Sequence, residues 1–395
     1  MSTTMTIAAD FDLFSDEVLA DPYPHYAALR EQAAVVHLPK TGQDGVWAVT
    51  RYSPIRKALG DTKVFSSKAV AFSGQMNDAL AGTVFASDPP DHRRLRAATM
   101  EYLTPRALSG FAERIDKKAD AMVTSLVERG RFDAITDLAQ ALPVAVVMDF
   151  IGVQGEAREK MLGWGFAVFN VMGPMNQRTI ESFPIAGELT AWLDRLEPGE
   201  LAEGSIGRAI FDAGETGAIP LETCRVVIQQ YVAAGLDSTV AAIGNAIALL
   251  MGHPDQFDLV RANPDLIPSA FNESLRYETP VLLTGRLVTE DTEIDGTTIP
   301  ADAQAAILFA AGNRDPRHYP APDRFDVTRN PLDNLSFGYG IHSCAGQGLA
   351  KLEAHAVIGA LTRRIRRYTL GEQARRISNL TRGLAALPVT SVEAT

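Results

Sequence analysis

Cysteine is nearly absent from this 395-residue chain: only Cys224 and Cys344 occur. Two thiols cannot build a disulfide framework, which fits a reducing compartment. Excess positive charge is lacking too. With 37 Lys+Arg against 48 Asp+Glu the formal net charge is −11, which argues against nucleic acid or an anionic membrane as partner. No long apolar run is present either. Met161 to Gln177 is uncharged but broken by Gly163, Asn170, Gly173 and Pro174, and Ser238 to Gly252 is too short to span a bilayer. Met1 to Asp16 has neither a basic start nor an apolar core, so no secretory leader is expected. Linkers, repeats and low-complexity segments are missing as well. What remains is a chain that is 46% hydrophobic, expected to be soluble and cytoplasmic, and long enough for one large unit or for two or three domains.

One stretch stands out: Phe337-Gly338-Tyr339-Gly340-Ile341-His342-Ser343-Cys344-Ala345-Gly346-Gln347. A glycine-rich turn presents a single cysteine where a helix begins at Gln347. Helix N-termini offer unpaired N–H groups and a positive dipole end, which favour a thiolate. Glycines let backbone approach a flat group closely. From chemistry alone the site favours a metal–thiolate or a reactive cysteine over a small buried one.

The segment resembles the haem-thiolate signature of the cytochrome P450 family, with Phe337, Gly340, His342, Cys344 and Gly346 all on pattern. The resemblance runs from about Asp21 to Val389. It implies a mostly α fold with a small β region, a triangular α-rich prism enclosing one haem b. Residues 1–395 would be a single monooxygenase domain with no fused reductase or ferredoxin. A thiolate on iron pushes electron density onto a bound O–O bond. Electrons would then come from NAD(P)H through a separate ferredoxin, 2Fe-2S by type, and its reductase. Cys344 would be the axial ligand, with Phe337, Gly338 and Gly346 lining the haem.

Periodicity agrees with a helical chain. Helices are predicted over Pro22–Ala34, Ser53–Leu59, Asp91–Tyr102, Thr104–Arg129, Leu138–Phe150, Glu156–Phe169, Thr179–Leu196 and Pro268–Tyr277. The longest is expected from about Glu222 to Met251, and a last one follows Cys344. Val46–Thr50 reads as a strand, and Val64–Ser87 as a long loop with a helical turn. Between Leu282 and Phe309 the period changes to two, with a hairpin turn at Asp295-Gly296.

Within the longest helix lies Ala233-Ala234-Gly235-Leu236-Asp237-Ser238-Thr239. Small residues thin one side, and a hydroxyl nearby invites a bulge in the backbone ladder. The segment is similar to the family's acid–alcohol pair. Ala234 and Gly235 would then border the haem, and Asp237, Ser238 and Thr239 would deliver protons. The family's usual alcohol is threonine; serine loses the methyl that restricts its rotamer. The plainer reading is Asp-Ser-Thr making local backbone bonds.

Glu273 and Arg276 stand at i, i+3, one helical face. They resemble the family's Glu-x-x-Arg, which implies a buried structural cluster completed by Arg324. His92 and Arg96, one turn apart, with Arg286 and His342, match family positions that hold haem propionates. Arg93, Arg94, Arg106 and Lys351 form a candidate basic patch for an acidic electron carrier.

Pocket candidates by position are Val70, Phe72, Phe166, Phe169, Val171, Met172, Gln229, Gln230, Ala233, Val281, Leu282 and Leu283, an apolar and aromatic set suited to a small hydrophobic substrate. Phe169 to Asn176, Ser66-Ser67-Lys68 and Thr381 to Leu384 resemble a bacterial subgroup acting on para-substituted benzoates and methoxyarenes. That subgroup carries an arginine where this chain has Gln229, so a neutral aromatic is expected, hydroxylated or O-demethylated. Rival readings are a peroxide-using, desaturating or coupling enzyme of the same fold, and a haem-based sensor.

Overall fold

Local chemistry sets where the helices begin and end. The computed structural model describes residues 10–42, 44–217 and 220–395. The first nine residues of the Met1–Asp16 stretch lie outside them. Eight helices position the site: α1 (Asp91–Met100), α2 (Pro105–Arg129), α3 (Ala157–Val171), α4 (Gln177–Arg195), α5 (Leu221–Gly235), α6 (Asp237–Gly252), α7 (Ile267–Tyr277) and α8 (Gln347–Arg364). Helix α2 shows the local logic. The Thr104 hydroxyl accepts the Ala107 N–H at 3.2 Å, Pro105 occupies the first turn, and Gly130 at φ 77° ends the helix in the left-handed region.

The main core gathers Val123, Val232, Ile247, Phe271 and Val357 from α2, α5, α6, α7 and α8. A five-stranded sheet lies apart from it. Its strands are β1 (Val35–Leu38), β2 (Val46–Val49), β3 (Phe65–Ser66), β4 (Thr284–Val288) and β5 (Gln304–Ile307), in the order β1-β2-β5-β4-β3. Only the β2–β5 pair is parallel, Trp47 opposite Ala305. The predicted hairpin forms between Thr292–Ile294 and Thr297–Ile299, with Asp295 at φ 48° and Gly296 at φ 78°. Near the C-terminus β6 (Ala374–Arg376) pairs with β7 (Gly383–Ala386). A second core cluster joins Phe11 and Phe14 to Phe72, Met172, Leu282 and Leu380.

Two expectations change in detail. The helix expected to start at Ser53 runs Tyr52–Gly60 instead, and the long helix forms as two. Leu236, at φ −103° and ψ −72°, interrupts the ladder between α5 and α6. Together the run Thr223–Gly252 is long and apolar enough to cross a membrane by length and composition, and 72% of its most apolar window is buried inside the molecule.

A third expectation is corrected. Glu273 and Arg276 do form a fully buried pair, Nε to Oε2 at 2.7 Å and Nη2 to Oε1 at 2.8 Å. The second arginine on Glu273 is Arg329, Nε to Oε1 at 3.3 Å, not Arg324. The Arg324 side chain is 70% exposed and faces Asp326 at 3.6 Å. Arg324 contributes only its backbone oxygen, which Arg276 Nη2 reaches at 3.2 Å. Arg276 Nη1 also donates to the Asn313 and Pro322 oxygens at 3.1 and 2.8 Å. One guanidinium thus fastens α7 to the irregular segment that leads into the cysteine loop.

Arg276→Ala is therefore expected to destabilise the holoprotein by about 3–5 kcal/mol, because it strands a buried carboxylate. Arg324→Ala should stay within about 0.5 kcal/mol of the parent, as exposed substitutions do. Urea unfolding of both variants checks the pair; equal losses would rule out this arrangement.

Candidate active site

The cysteine loop is built by turns that only glycine tolerates well. Gly338 and Gly340 stand at φ 70° and 75°. A Cβ on Gly340 would meet the Leu59 carbonyl oxygen at 2.9 Å, so this turn packs directly on backbone. The Cys344 N–H donates to the Phe337 oxygen at 2.7 Å, closing the loop. Cys344 is half-buried, just ahead of α8.

Burial pushes the Cys344 thiol up from its ordinary range. The N–H groups of Gly346 and Gln347 and the charges of Arg96 and Lys351 pull it down, without cancelling the burial. The helix N-terminus is thus present as expected but does not by itself make a thiolate. Among the described residues no group of three or more His, Cys, Asp or Glu gathers as a metal site. The donor set fits a metal that arrives with its other ligands already attached and displaces the thiol proton on binding.

Two arginines and two histidines collect nearby. The His92 and His342 rings lie 4.2 Å apart, Arg96 Nη2 donates to the Ser343 oxygen at 2.7 Å, and Arg286 Nη1 donates to the Gly285 oxygen at 2.7 Å. Burial lowers Arg286 to about 10, with Asp88 opposing. Burial, then Arg286, His92 and Arg96, lowers His342 to about 3. Burial and Arg96 lower His92, whose two ring nitrogens are buried with no hydrogen-bond partner. A buried polar atom without a partner costs about 1–3 kcal/mol. Two crowded arginines beside two neutral imidazoles, one of them without hydrogen-bond partners, fit a ligand carrying two carboxylates, as a haem does.

Sequence reasoning missed two residues here. Ser67 Oγ meets His342 Nε2 at 3.0 Å, and Asp88 accepts from the Ser66 hydroxyl at 2.5 Å and from the Ser67 N–H at 3.0 Å. Ser67 stood in the segment likened to a subgroup, but nothing local tied it to His342, 275 residues away.

At the α5–α6 break Ser238 Oγ donates to the Ala234 oxygen at 3.1 Å. Ala234 is exposed although its helix is otherwise largely enclosed, and Gly235 and Ser238 are half-buried. Thr239 is buried. Asp237 is wholly buried and turned to the C-terminal region. Its carboxylate accepts from Arg376 Nη2, a close contact, and from Thr381 Oγ1 at 2.9 Å. Burial raises its pKa, with Arg376 the first opposing cause. Arg376 and Thr381 lie 139 and 144 residues from Asp237, and no sequence signal linked them to it.

The pocket candidates divide. Phe166, Phe169, Gln229, Gln230, Ala233 and Val281 are half-buried. Val70, Phe72, Val171, Met172, Leu282 and Leu283 are packed almost without exposed surface. Phe72 meets the Phe14 ring edge-on at 4.9 Å, and its N–H donates to the Met172 oxygen at 2.8 Å. Gln230 Oε1 accepts from the Thr99 hydroxyl at 3.0 Å. The α3–α4 connection is tethered by Asn379, whose Nδ2 donates to the Asn170 oxygen at 2.8 Å and whose Oδ1 accepts from Arg178 Nε at 2.9 Å.

Comparison with known proteins agrees with this geometry. The family model described as Cytochrome P450 matches residues 210–390. Cytochrome p450 CYP199A2 of Rhodopseudomonas palustris is 35% identical over 96% of this chain and 93% of its own. The 6-deoxyerythronolide B hydroxylase of Saccharopolyspora erythraea is 34% identical, covering 96% and 98%. Among solved structures, P450BioI in complex with a hexadec-9Z-enoic acid ligated acyl carrier protein superposes with TM-score 0.85 and 29% identity, covering 96% of this chain and 100% of that one. A mostly helical chain with a cysteine at a glycine turn, matched over nearly its full length by such relatives, belongs to the cytochrome P450 family of haem-dependent monooxygenases.

Proposed function

We propose that residues 1–395 form one haem-thiolate unit in the cytoplasm that oxidises a small hydrophobic, aromatic substrate by hydroxylation or O-demethylation. Cys344 would hold the iron. The observation that supports this most is the half-buried thiol at the start of α8 beside a cluster of two arginines and two histidines. His92, Arg96, Arg286 and His342 would hold the two haem carboxylates. Ala234, Gly235, Phe337, Gly338 and Gly346 would allow close approach of the ring. When bound, the group supplies reductive activation of dioxygen and transfer of one oxygen atom to substrate.

The chain's own residues do the rest. Asp237 would carry protons from its buried position toward Ser238, and the Ser238 hydroxyl would pass them on, with Thr239 alongside. Serine in place of threonine keeps the donor but loses the methyl that fixes its rotamer. Two electrons from NAD(P)H would arrive through a separate 2Fe-2S ferredoxin and its reductase. Exposed Arg93, Arg94 and Arg106, with half-buried Lys351, suit an acidic carrier. For the substrate, half-buried Phe166, Phe169, Ala233 and Val281 offer apolar surface, and Gln229 offers hydrogen bonds without charge. Val70, Phe72, Met172 and Leu282 would shape that pocket from behind.

Ferrous protein with carbon monoxide is expected to give the strongly red-shifted Soret band of a thiolate–haem, and Cys344→His to abolish it. A histidine-type spectrum in the wild type would refute the ligation.

Asp237→Asn should slow turnover by about 10²-fold, the scale for losing a positioned proton donor, with substrate binding nearly unchanged. Ser238→Ala should divert reducing equivalents to peroxide. Wild-type rate and product per NAD(P)H in both variants would remove the relay.

A carboxylate beside Gln229 would be desolvated without an opposite charge. Spectral titration should therefore show 4-methoxyphenol binding more tightly than 4-methoxybenzoate. Gln229→Arg should shift that preference toward the anion by about 1–3 kcal/mol. Tighter benzoate binding by the wild type would discard the neutral substrate.

A further inference from the structure

Arg376 makes two contacts that belong to different parts of the site. Its Nη2 closes on Asp237 Oδ1, and its guanidinium lies over the Phe166 ring of α3 at 4.0 Å from the centroid. The same Nη2 reaches Thr381 Oγ1 at 3.2 Å. Thr381 in turn donates to the other Asp237 oxygen, so both carboxylate oxygens are engaged by the C-terminal region. The neighbouring Arg375 takes no part. It reaches Glu278 at 3.5 Å and Asn245 Oδ1 at 3.4 Å, as alternation along β6 requires. Only one arginine of the pair can serve Asp237.

Two of the carboxylate's four lone-pair sites are taken, and the charge of Arg376 beside it favours the ionised acid, so proton uptake is opposed while the contact holds. The Arg376 guanidinium lies over an aromatic face, so its position is coupled to that ring. The ring sits on α3, which carries half-buried pocket candidates and is tethered to the C-terminal segment through Asn170 and Asn379.

We propose that Arg376 is a positioning residue that withholds Asp237 until the pocket beside Phe166 is filled. Substrate displaces the Phe166 ring, the guanidinium follows, and Asp237 turns to the Ser238 side. This rests on the reading of Asp237 as proton carrier. Without the hold, two electrons from NAD(P)H and two protons reach dioxygen in the absence of substrate, and hydrogen peroxide leaves.

The test is substrate-free NAD(P)H oxidation by the holoenzyme with a generic ferredoxin and reductase, with peroxide measured alongside. Arg376→Gln and Phe166→Ala should each raise this leak about tenfold, the scale of one charge-assisted hydrogen bond. Arg376→Lys keeps the charge but loses the stacked guanidinium, so its leak should fall between wild type and Arg376→Gln. Adding Asp237→Asn to Arg376→Gln should return the leak to the wild-type level. Amide exchange over 235–239 should rise in Arg376→Gln, a readout independent of turnover. A wild-type leak in Arg376→Gln, or a raised leak that survives Asp237→Asn, overturns the proposal. A leak in Arg376→Gln but none in Phe166→Ala overturns the link to α3. Should Arg376→Gln fail to hold haem, Phe166→Ala with and without Asp237→Asn carries the test. If Asp237→Asn alone leaves coupling intact while exchange over 235–239 still rises in Arg376→Gln, the proton-carrier reading fails and the contact remains structural.

Discussion

Arg276 is the fixed point of this fold. A guanidinium taken out of water must have its N–H groups answered, and here Glu273 and the backbone oxygens of Asn313, Pro322 and Arg324 answer them. Asn313 ends the short helix Phe309–Asn313, and Pro322 and Arg324 lie in irregular chain, where no ladder would otherwise fix the backbone. Glu273 also accepts the Asp326 N–H at 3.1 Å. The cysteine loop then starts from a segment that cannot drift, which is what a metal ligand on a loop requires. Asn313 continues the path: its Oδ1 accepts the Leu335 N–H at 2.6 Å, two residues before Phe337.

The α5–α6 break, where the proposed proton path runs, is organised on the opposite principle. There the helix is broken rather than braced. Leu236 frees backbone where Ser238 turns back to Ala234, and Asp237 is anchored from another part of the chain. Rigidity under the thiol and a looser ladder beside the acid suit the two proposed tasks. Iron ligation needs one geometry, whereas moving a proton needs at least two.

Much of this was legible in the sequence because the signals are local. The glycines around Cys344, the small residues before Asp237 and the i, i+3 spacing of Glu273 and Arg276 each act within a few residues. Helix starts such as Thr104-Pro105 were legible for the same reason. What was hidden is long-range or irregular. Arg329 and Arg324 share one loop, and no periodicity says which turns inward. Ser67 and Asp88 reach the His342 cluster through tertiary packing alone. The Cys344 thiol shows a contest that spacing cannot weigh: the helix end pulls its proton affinity down, and burial pulls harder the other way. Burial separates Phe72 and Leu282 from the half-buried pocket candidates, a distinction that sequence does not carry, since an apolar residue beside a cavity and one packed behind it look alike.

The partner of Asp237 comes late in another sense. Arg376 follows it by 139 residues. At about 5–20 residues per second, a ribosome adds that length in roughly 7–28 s. Throughout that interval the nascent chain holds an acid destined for the interior and has not yet made the cation that pairs with it. Helix α6 can form early, since its own ladder is local, but it cannot settle fully against its neighbours with an ionised carboxylate at its first residue. The order of synthesis therefore leaves Asp237 without its partner until the C-terminal region has been made. The Glu273–Arg276 pair, complete within one helical turn, is available from the moment α7 emerges.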